Sequence, residues 1–168
     1  MKLLIAGDFY ISERFKQKTL FTKVVEDFFV EADYRIVNLE APLTSDNPKN
    51  KILKTGPHLR MSTDSVMPYL RQLKIDMVTL ANNHILDYGA KGLADTFNIL
   101  HANQIGYVGA GINLQAAARP FTIEAKGIRI AILNFCEHEW SIAEDDKPGA
   151  NPLDIIENVN QIKDAKLT

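Results

Sequence analysis

Cysteine is almost missing from this chain. Cys136 is alone among 168 residues, which excludes an intrachain disulfide framework. An excess of either charge is missing too: 19 Lys and Arg face 21 Asp and Glu, for a formal net charge of −2. That balance excludes polyanion binding driven by bulk charge, so no nucleic-acid partner is expected and only a local basic patch stays open. No apolar run reaches the roughly 18 residues of a membrane span. Glycine (9) and proline (7) are too few for collagen-like or low-complexity structure. A secretory leader is not legible: the apolar start at residues 1–6 breaks at Gly7-Asp8, and no small-residue cleavage site follows. As written, the chain is expected in the cytoplasm; the alternative is a longer parent whose leader is not in this sequence.

What is present is the composition of a globular domain, 46% apolar and 24% charged. At about 100–200 residues per domain, residues 1–168 make one domain, with room for a core that needs no disulfide or structural metal. Residues 2–6 predict a short buried strand. From 13 to 32 the apolar positions Phe15, Leu20, Val24, Val25, Phe28 and Phe29 recur at near-helical spacing behind a candidate N-cap, Ser12. Residues 35–39 predict a second strand with Glu40 at its end. Pro42, Pro48 and Pro57 mark 41–60 as a long loop, a feature that in compact domains goes with function or mobility. Ser62 and Thr63 are candidate caps of a helix to Lys74, which Pro68 is expected to kink or shorten. Residues 75–81 and 106–109 predict two more strands, with a helix at 91–103 between them. A hairpin follows at 121–125 and 128–135, turned at Lys126-Gly127, and 151–166 predicts a last helix. Alternating strands and helices without internal repeats indicate an α/β sandwich around a mostly parallel central sheet. The chain stops directly after a helix, where the pattern expects another strand. A domain truncated at its C-terminal side, the N-terminal portion of a longer one, is therefore expected.

In open α/β sheets, sites gather at the carboxyl ends of the strands. Three polar clusters fall there: Gly7-Asp8, Asn38-Leu39-Glu40, and Asn82-Asn83-His84 with Asp87 just beyond. Parallel neighbouring strands would bring together two carboxylates, an amide oxygen and an imidazole. Hard oxygen donors suit Mg²⁺ or Mn²⁺, and an imidazole extends the range to Zn²⁺ and Fe²⁺. Two carboxylates forced together repel unless a cation neutralises them. Two metals about 3.5–4 Å apart can activate a water and hold a phosphoryl group. A histidine beside a ligating asparagine is placed to protonate a leaving oxygen. Plainer readings stand beside these. Asp8 can cap a turn, Glu40 can be a solvated loop residue, Asn83 a turn former, His84 a satisfied structural histidine and Asp87 a helix cap. Lys54, His58 and Arg60 form either an anion-binding lid or an exposed loop. Glu137, His138 and Glu139 either hold metal or make a solvated acidic face, and Cys136 reads as a buried small hydrophobe.

Four blocks carry a family resemblance: GDFYIS at 7–12, NLEAPLT at 38–44, LANNHILDYGAKGL at 80–93 and GAGINLQAA at 109–117. In order and spacing they resemble the capsule synthesis CapA family, which includes the PgsA-type proteins of poly-γ-glutamate capsules, within the calcineurin-like metallophosphoesterase superfamily. The likeness runs over nearly the whole chain, and Asn82-Asn83-His84-x-x-Asp87-x-Gly89 is its specific part. The resemblance implies a metallophosphoesterase-like α/β sandwich and a part in capsule or poly-γ-glutamate biosynthesis. It also implies a divalent metal (Mn²⁺, Mg²⁺, Zn²⁺ or Fe²⁺), dinuclear if the full domain is present. Carried over residue by residue, Asp8 is a first-metal ligand, Glu40 the bridging acid and Asn83 a second-metal ligand. His84 is the catalytic acid, Asp87 orients it or caps the next helix, and Gly89 allows a tight entry. The turn at 109–111 shapes the site with Asn113 bonded to backbone; Asn113 joins His58 and Arg60 as a substrate-binding candidate.

Two departures are visible. Superfamily members commonly carry a histidine two residues after the first aspartate, where Tyr10 stands. The family's later His-Trp-Gly-Glu-like block is not found; the one tryptophan, Trp140, follows Cys136-Glu137-His138-Glu139 instead. The implied activity is metal-assisted hydrolysis of an anionic polymer or phosphoester substrate. The rival reading is a non-catalytic metal- or polymer-binding subunit of a capsule-synthesis membrane complex, and the resemblance allows a membrane-associated or exported location.

Overall fold

The computed structural model describes residues 1–45, 48–125 and 127–167. Lys126 of the expected hairpin turn lies outside them. Four strands form the central sheet in the order β1 (Leu3–Phe9), β2 (Tyr34–Leu39), β3 (Met77–Thr79) and β4 (Gly106–Val108), and every neighbouring pair is parallel. Helices α1 (Lys23–Val30), α2 (Thr63–Gln72) and α3 (Gly89–Ala102) alternate with these strands. The chain then forms β5 (Ala110–Gly111), α4 (Leu114–Ala117), an antiparallel hairpin of β6 (Phe121–Ala125) and β7 (Ile128–Ile132), then β8 (Gly149–Ala150) and α5 (Ile155–Leu167). β5 and β8 pair antiparallel. The expected α/β architecture with a parallel central sheet is the one found.

Strand alternation sorts the core into two faces. Val37, Leu39, Val78 and Leu80 join Val66, Met67 and Leu70 of α2 and Leu93 and Leu100 of α3. Ile36, Met77 and Val108 point the other way and pack against Phe121 and Ile132 of the hairpin. The result is three layers: helices, parallel sheet, hairpin. The β1–β2 register is irregular between Ile5 and Asp8: Ile5 lies opposite Ile36, but Asp8 rather than Gly7 lies opposite Asn38. One extra residue on β1 reverses which face each later side chain takes, so the bulge sets Asp8 beside Asn38.

Several boundaries depart from expectation, each for a physical reason. The helix expected at 13–32 is only a short 3-10 turn at Glu13–Phe15, then irregular chain with Gln17 at φ 59°, then α1. Tertiary contact overrides local spacing there. The Tyr69 hydroxyl of α2 stands 2.6 and 2.7 Å from the carbonyl oxygens of Phe15 and Lys18 and accepts the Lys18 N–H at 3.1 Å. Ser62 caps α2 as expected, accepting the Ser65 N–H at 3.3 Å. α2 runs through Pro68 to Gln72, and Lys74 at φ 53° follows its end. Pro68 and Asp64 are both exposed, so the Asp64 carbonyl that the proline ring leaves without an N–H partner can turn to water. α5 starts at Ile155, later than expected, because Asp154 Oδ1 accepts the N–H groups of Ile156 and Glu157, both at 3.0 Å. Among the described residues no helix is long and apolar enough to cross a membrane.

Candidate functional site

The carboxyl ends of β1, β2 and β3 meet, and their polar residues with them. Asn38 is the hub. Its Nδ2 donates to Asp8 Oδ1 (2.8 Å) and Glu40 Oε2 (2.6 Å), while its Oδ1 accepts from Thr79 Oγ1 (3.2 Å) and Asn82 Nδ2 (3.3 Å). Asn82 also donates to the Leu39 carbonyl at 2.9 Å and accepts the His84 N–H at 3.1 Å. This Asx-type turn ties the end of β3 to the end of β2 and presents Asn83 and His84. The Asn83 carbonyl accepts from the buried Ser141 hydroxyl at 2.8 Å. Its side-chain amide makes no hydrogen bond among the described residues.

Two negative groups are forced close here. Burial, and next the charge of Asp8, push the Glu40 carboxyl above its ordinary value. Asp8 and Glu40 share one donor, the Asn38 amide nitrogen, and the His84 charge pulls the Glu40 carboxyl the other way. His84 is backed by Asp87: Nδ1 to Oδ2 is 2.8 Å, with side chains 13% and 0% exposed. Asp87 is also ion-paired with Lys54 and accepts the Leu59 N–H at 2.6 Å. The Cys136 thiol is pushed up to about 11 by burial, then by Glu139, Glu137 and Glu40, so it borders the same site.

Asp8, Glu40, His84 and Asp87 are thus brought together, with Asn83 beside them. The three substrate-binding candidates are engaged elsewhere. His58 Nε2 is bonded to the Ile52 carbonyl at 2.8 Å, and the Arg60 guanidinium stacks over Tyr88 at 5.4 Å. Asn113 caps α4 through the Ala116 N–H at 2.9 Å. Gly109 sits at φ +91°, and a side chain there would run into Asn134, whose Oδ1 accepts the Ala81 N–H at 2.6 Å. Sequence reasoning named Asn38 in the cluster that ends the second strand but gave it no role, and it singled out neither Thr79 nor Lys54's bond to Asp87; the strand-end asparagine two residues before Glu40 was the one signal available. A cavity of about 750 Å³ lies at the β4 edge, lined by Phe97, Tyr107, Ile112 and Arg119, away from this cluster. Among the described residues, no group of three or more His, Cys, Asp or Glu is spaced to hold a metal.

Residues 2–166 match the family described as bacterial capsule synthesis protein PGA_cap. The chain belongs to this family. The CapA/PgsA kinship read from the motifs is borne out, and the PGA_cap domain has a metallophosphoesterase-like fold. Among similar proteins, a capsule biosynthesis protein CapA of Bacillus anthracis is 29% identical over 84% of this chain and 36% of its own length. A PGA biosynthesis protein CapA of Bacillus subtilis is 30% identical over 84% of the chain and 38% of its own. A probable polyglutamine synthesis accessory protein of Mycobacterium tuberculosis is 36% identical over 70% of the chain and 32% of its own. The chain therefore spans about a third of the length of these relatives.

Proposed function

We propose that this chain carries a divalent-metal-dependent phosphoester-hydrolysing site that serves the biosynthesis of an anionic capsule polymer of the poly-γ-glutamate kind. The polymer is suggested by two relatives, a capsule biosynthesis protein and a PGA biosynthesis protein. The chemistry rests on one observation: two carboxylates clamped by the same Asn38 amide nitrogen, next to an imidazole backed by a carboxylate.

The donor set fits a hard cation. Asp8 and Glu40 offer oxygen ligands whose mutual repulsion a divalent ion would relieve. The Asn83 amide, free of other hydrogen bonds among the described residues, is the third ligand. These donors suit one ion. A bound divalent ion supplies Lewis-acid polarisation of a phosphoryl oxygen and lowers the pKa of water. The protein's own part is alignment and proton transfer. Asn38 holds the two carboxylates together and oriented. Asp87 engages Nδ1 of His84, which leaves Nε2 to hand a proton to the leaving oxygen. A part in a capsule-synthesis complex at the membrane is included in the proposal.

Calorimetric titration with Mn²⁺, together with hydrolysis of a generic aryl phosphate, tests this reading. The expected result is saturable binding of Mn²⁺ and turnover, both abolished in Asp8→Ala. A well-folded protein that binds metal and shows no turnover would assign it instead to the non-catalytic subunit role.

A further inference from the structure

Lys54 is the least expected member of the cluster. It lies in a loop whose adjoining residues sit in water: Leu53 is 102% exposed, and Thr55, Gly56 and Pro57 are exposed. The Lys54 side chain is 1% exposed. Lysines are almost never fully buried unless paired. This one is ion-paired with Asp87, itself 0% exposed, and its Nζ stands 3.2 Å from His84 Nδ1. The loop is fastened to Asp87 on both sides of Lys54: the Ile52 N–H donates to the Asp87 carbonyl (3.2 Å), and the Leu59 N–H donates to Asp87 Oδ2 (2.6 Å).

We propose that Lys54 is a positioning residue for His84, acting through Asp87. The two oxygens of that carboxylate have separate duties. Oδ2 takes the His84 ring and the Leu59 N–H, while Oδ1 faces Lys54. Oδ1 has no hydrogen-bond partner among the described residues, so the Lys54 charge is what faces it, resists rotation of the carboxylate about its Cβ–Cγ bond and keeps Oδ2 in line with Nδ1. Without Lys54, a buried oxygen loses its only counter-charge and the carboxylate rotates toward another donor. The ring then loses its fixed plane. Burial keeps the Lys54 ammonium off any substrate, so its effect is on alignment. What the ring does in turnover rests on the hydrolase reading; how the ring is held does not.

The test is NMR of ¹⁵N-histidine-labelled protein, with the signal assigned by its loss in His84→Asn. The wild type should show a downfield, protected Nδ1–H resonance for His84. Lys54→Met should broaden or erase it, and Lys54→Arg should restore it in part. With Mn²⁺ and an aryl phosphate, Lys54→Met should lower kcat roughly ten- to a hundredfold with KM within about twofold. If Lys54→Met does not fold, Lys54→Gln is read by the same two criteria. An unchanged resonance in the folded variant overturns the proposal, as does its absence from the wild type. A wild type without turnover whose resonance still responds to Lys54 defeats the hydrolase reading alone.

Discussion

One amide group, that of Asn38, holds two carboxylates, with its own oxygen fixed by Thr79 and Asn82. Asn38→Asp keeps the shape and replaces the donor with a third negative group. It should lower stability by about 1–3 kcal/mol, and added Mn²⁺ should recover part of that loss. Urea denaturation with and without Mn²⁺ reads both. Glu40 sets a pH dependence. Its carboxyl lies above the ordinary 4.5, chiefly through burial and then through Asp8. The folded state therefore holds that proton more tightly than the unfolded chain does. Stability from this group is fully present below 4.5 and is lost as pH rises through the raised folded value. Glu40→Gln abolishes that loss. Its Tm should exceed the wild type's near neutral pH, and the gap should close in acid; a gap independent of pH would refute the assignment. Cys136, at about 11, should react with iodoacetamide at mildly alkaline pH far more slowly in the native protein than after unfolding.

Arg35 shows at the level of elements what a distant partner can decide. It is the second residue of β2 yet is only 9% exposed. Its guanidinium donates to the carbonyls of Phe29 (2.7 Å) and Val30 (3.2 Å) at the end of α1, and to Asp76 Oδ2 (2.8 Å) just before β3. Arg35→Met should cost about 2–4 kcal/mol, seen as a lower urea midpoint at unchanged m. The four parallel strands were legible because each is a short, largely apolar run, and the rule that sites gather at strand ends drew Asp8, Glu40 and His84 together from the polar residues that follow the first three. What local pattern could not convey was anything fixed by a partner far along the chain. Residues 13–22 have helical spacing, yet Tyr69 holds their carbonyls in another shape. Lys54 reads as a solvated loop cation because Asp87, which buries it, belongs to the turn before α3. The β1 bulge that aims Asp8 depends on the β2 register, which no single strand contains.

Protection in the whole molecule should follow its layers. β2 and β3 have hydrogen-bonded neighbours on both sides, whereas β7 is paired only with β6 among the described strands. The hairpin covers Ile36, Met77 and Val108, but Ile5 on β1 stays 67% exposed. Ile128 (54%), Ile155 (80%) and Ile156 (73%) are also open on the hairpin and α5. Few buried contacts mean low opening free energies, so hydrogen exchange should divide the chain. Amides of 36–38 and 77–79 should outlast those of 128–132 and 155–166 by about a hundredfold or more, since each 1.4 kcal/mol of opening free energy is roughly tenfold in exchange. The competing outcome has a physical cause of its own. Exposed isoleucines on adjacent elements are a surface that self-association can cover. In that case the hairpin and α5 would exchange slowly at high protein concentration and quickly on dilution. Slow exchange at every concentration would instead mean that the hairpin and α5 are held as firmly as the central sheet, and the layered gradient would be refuted.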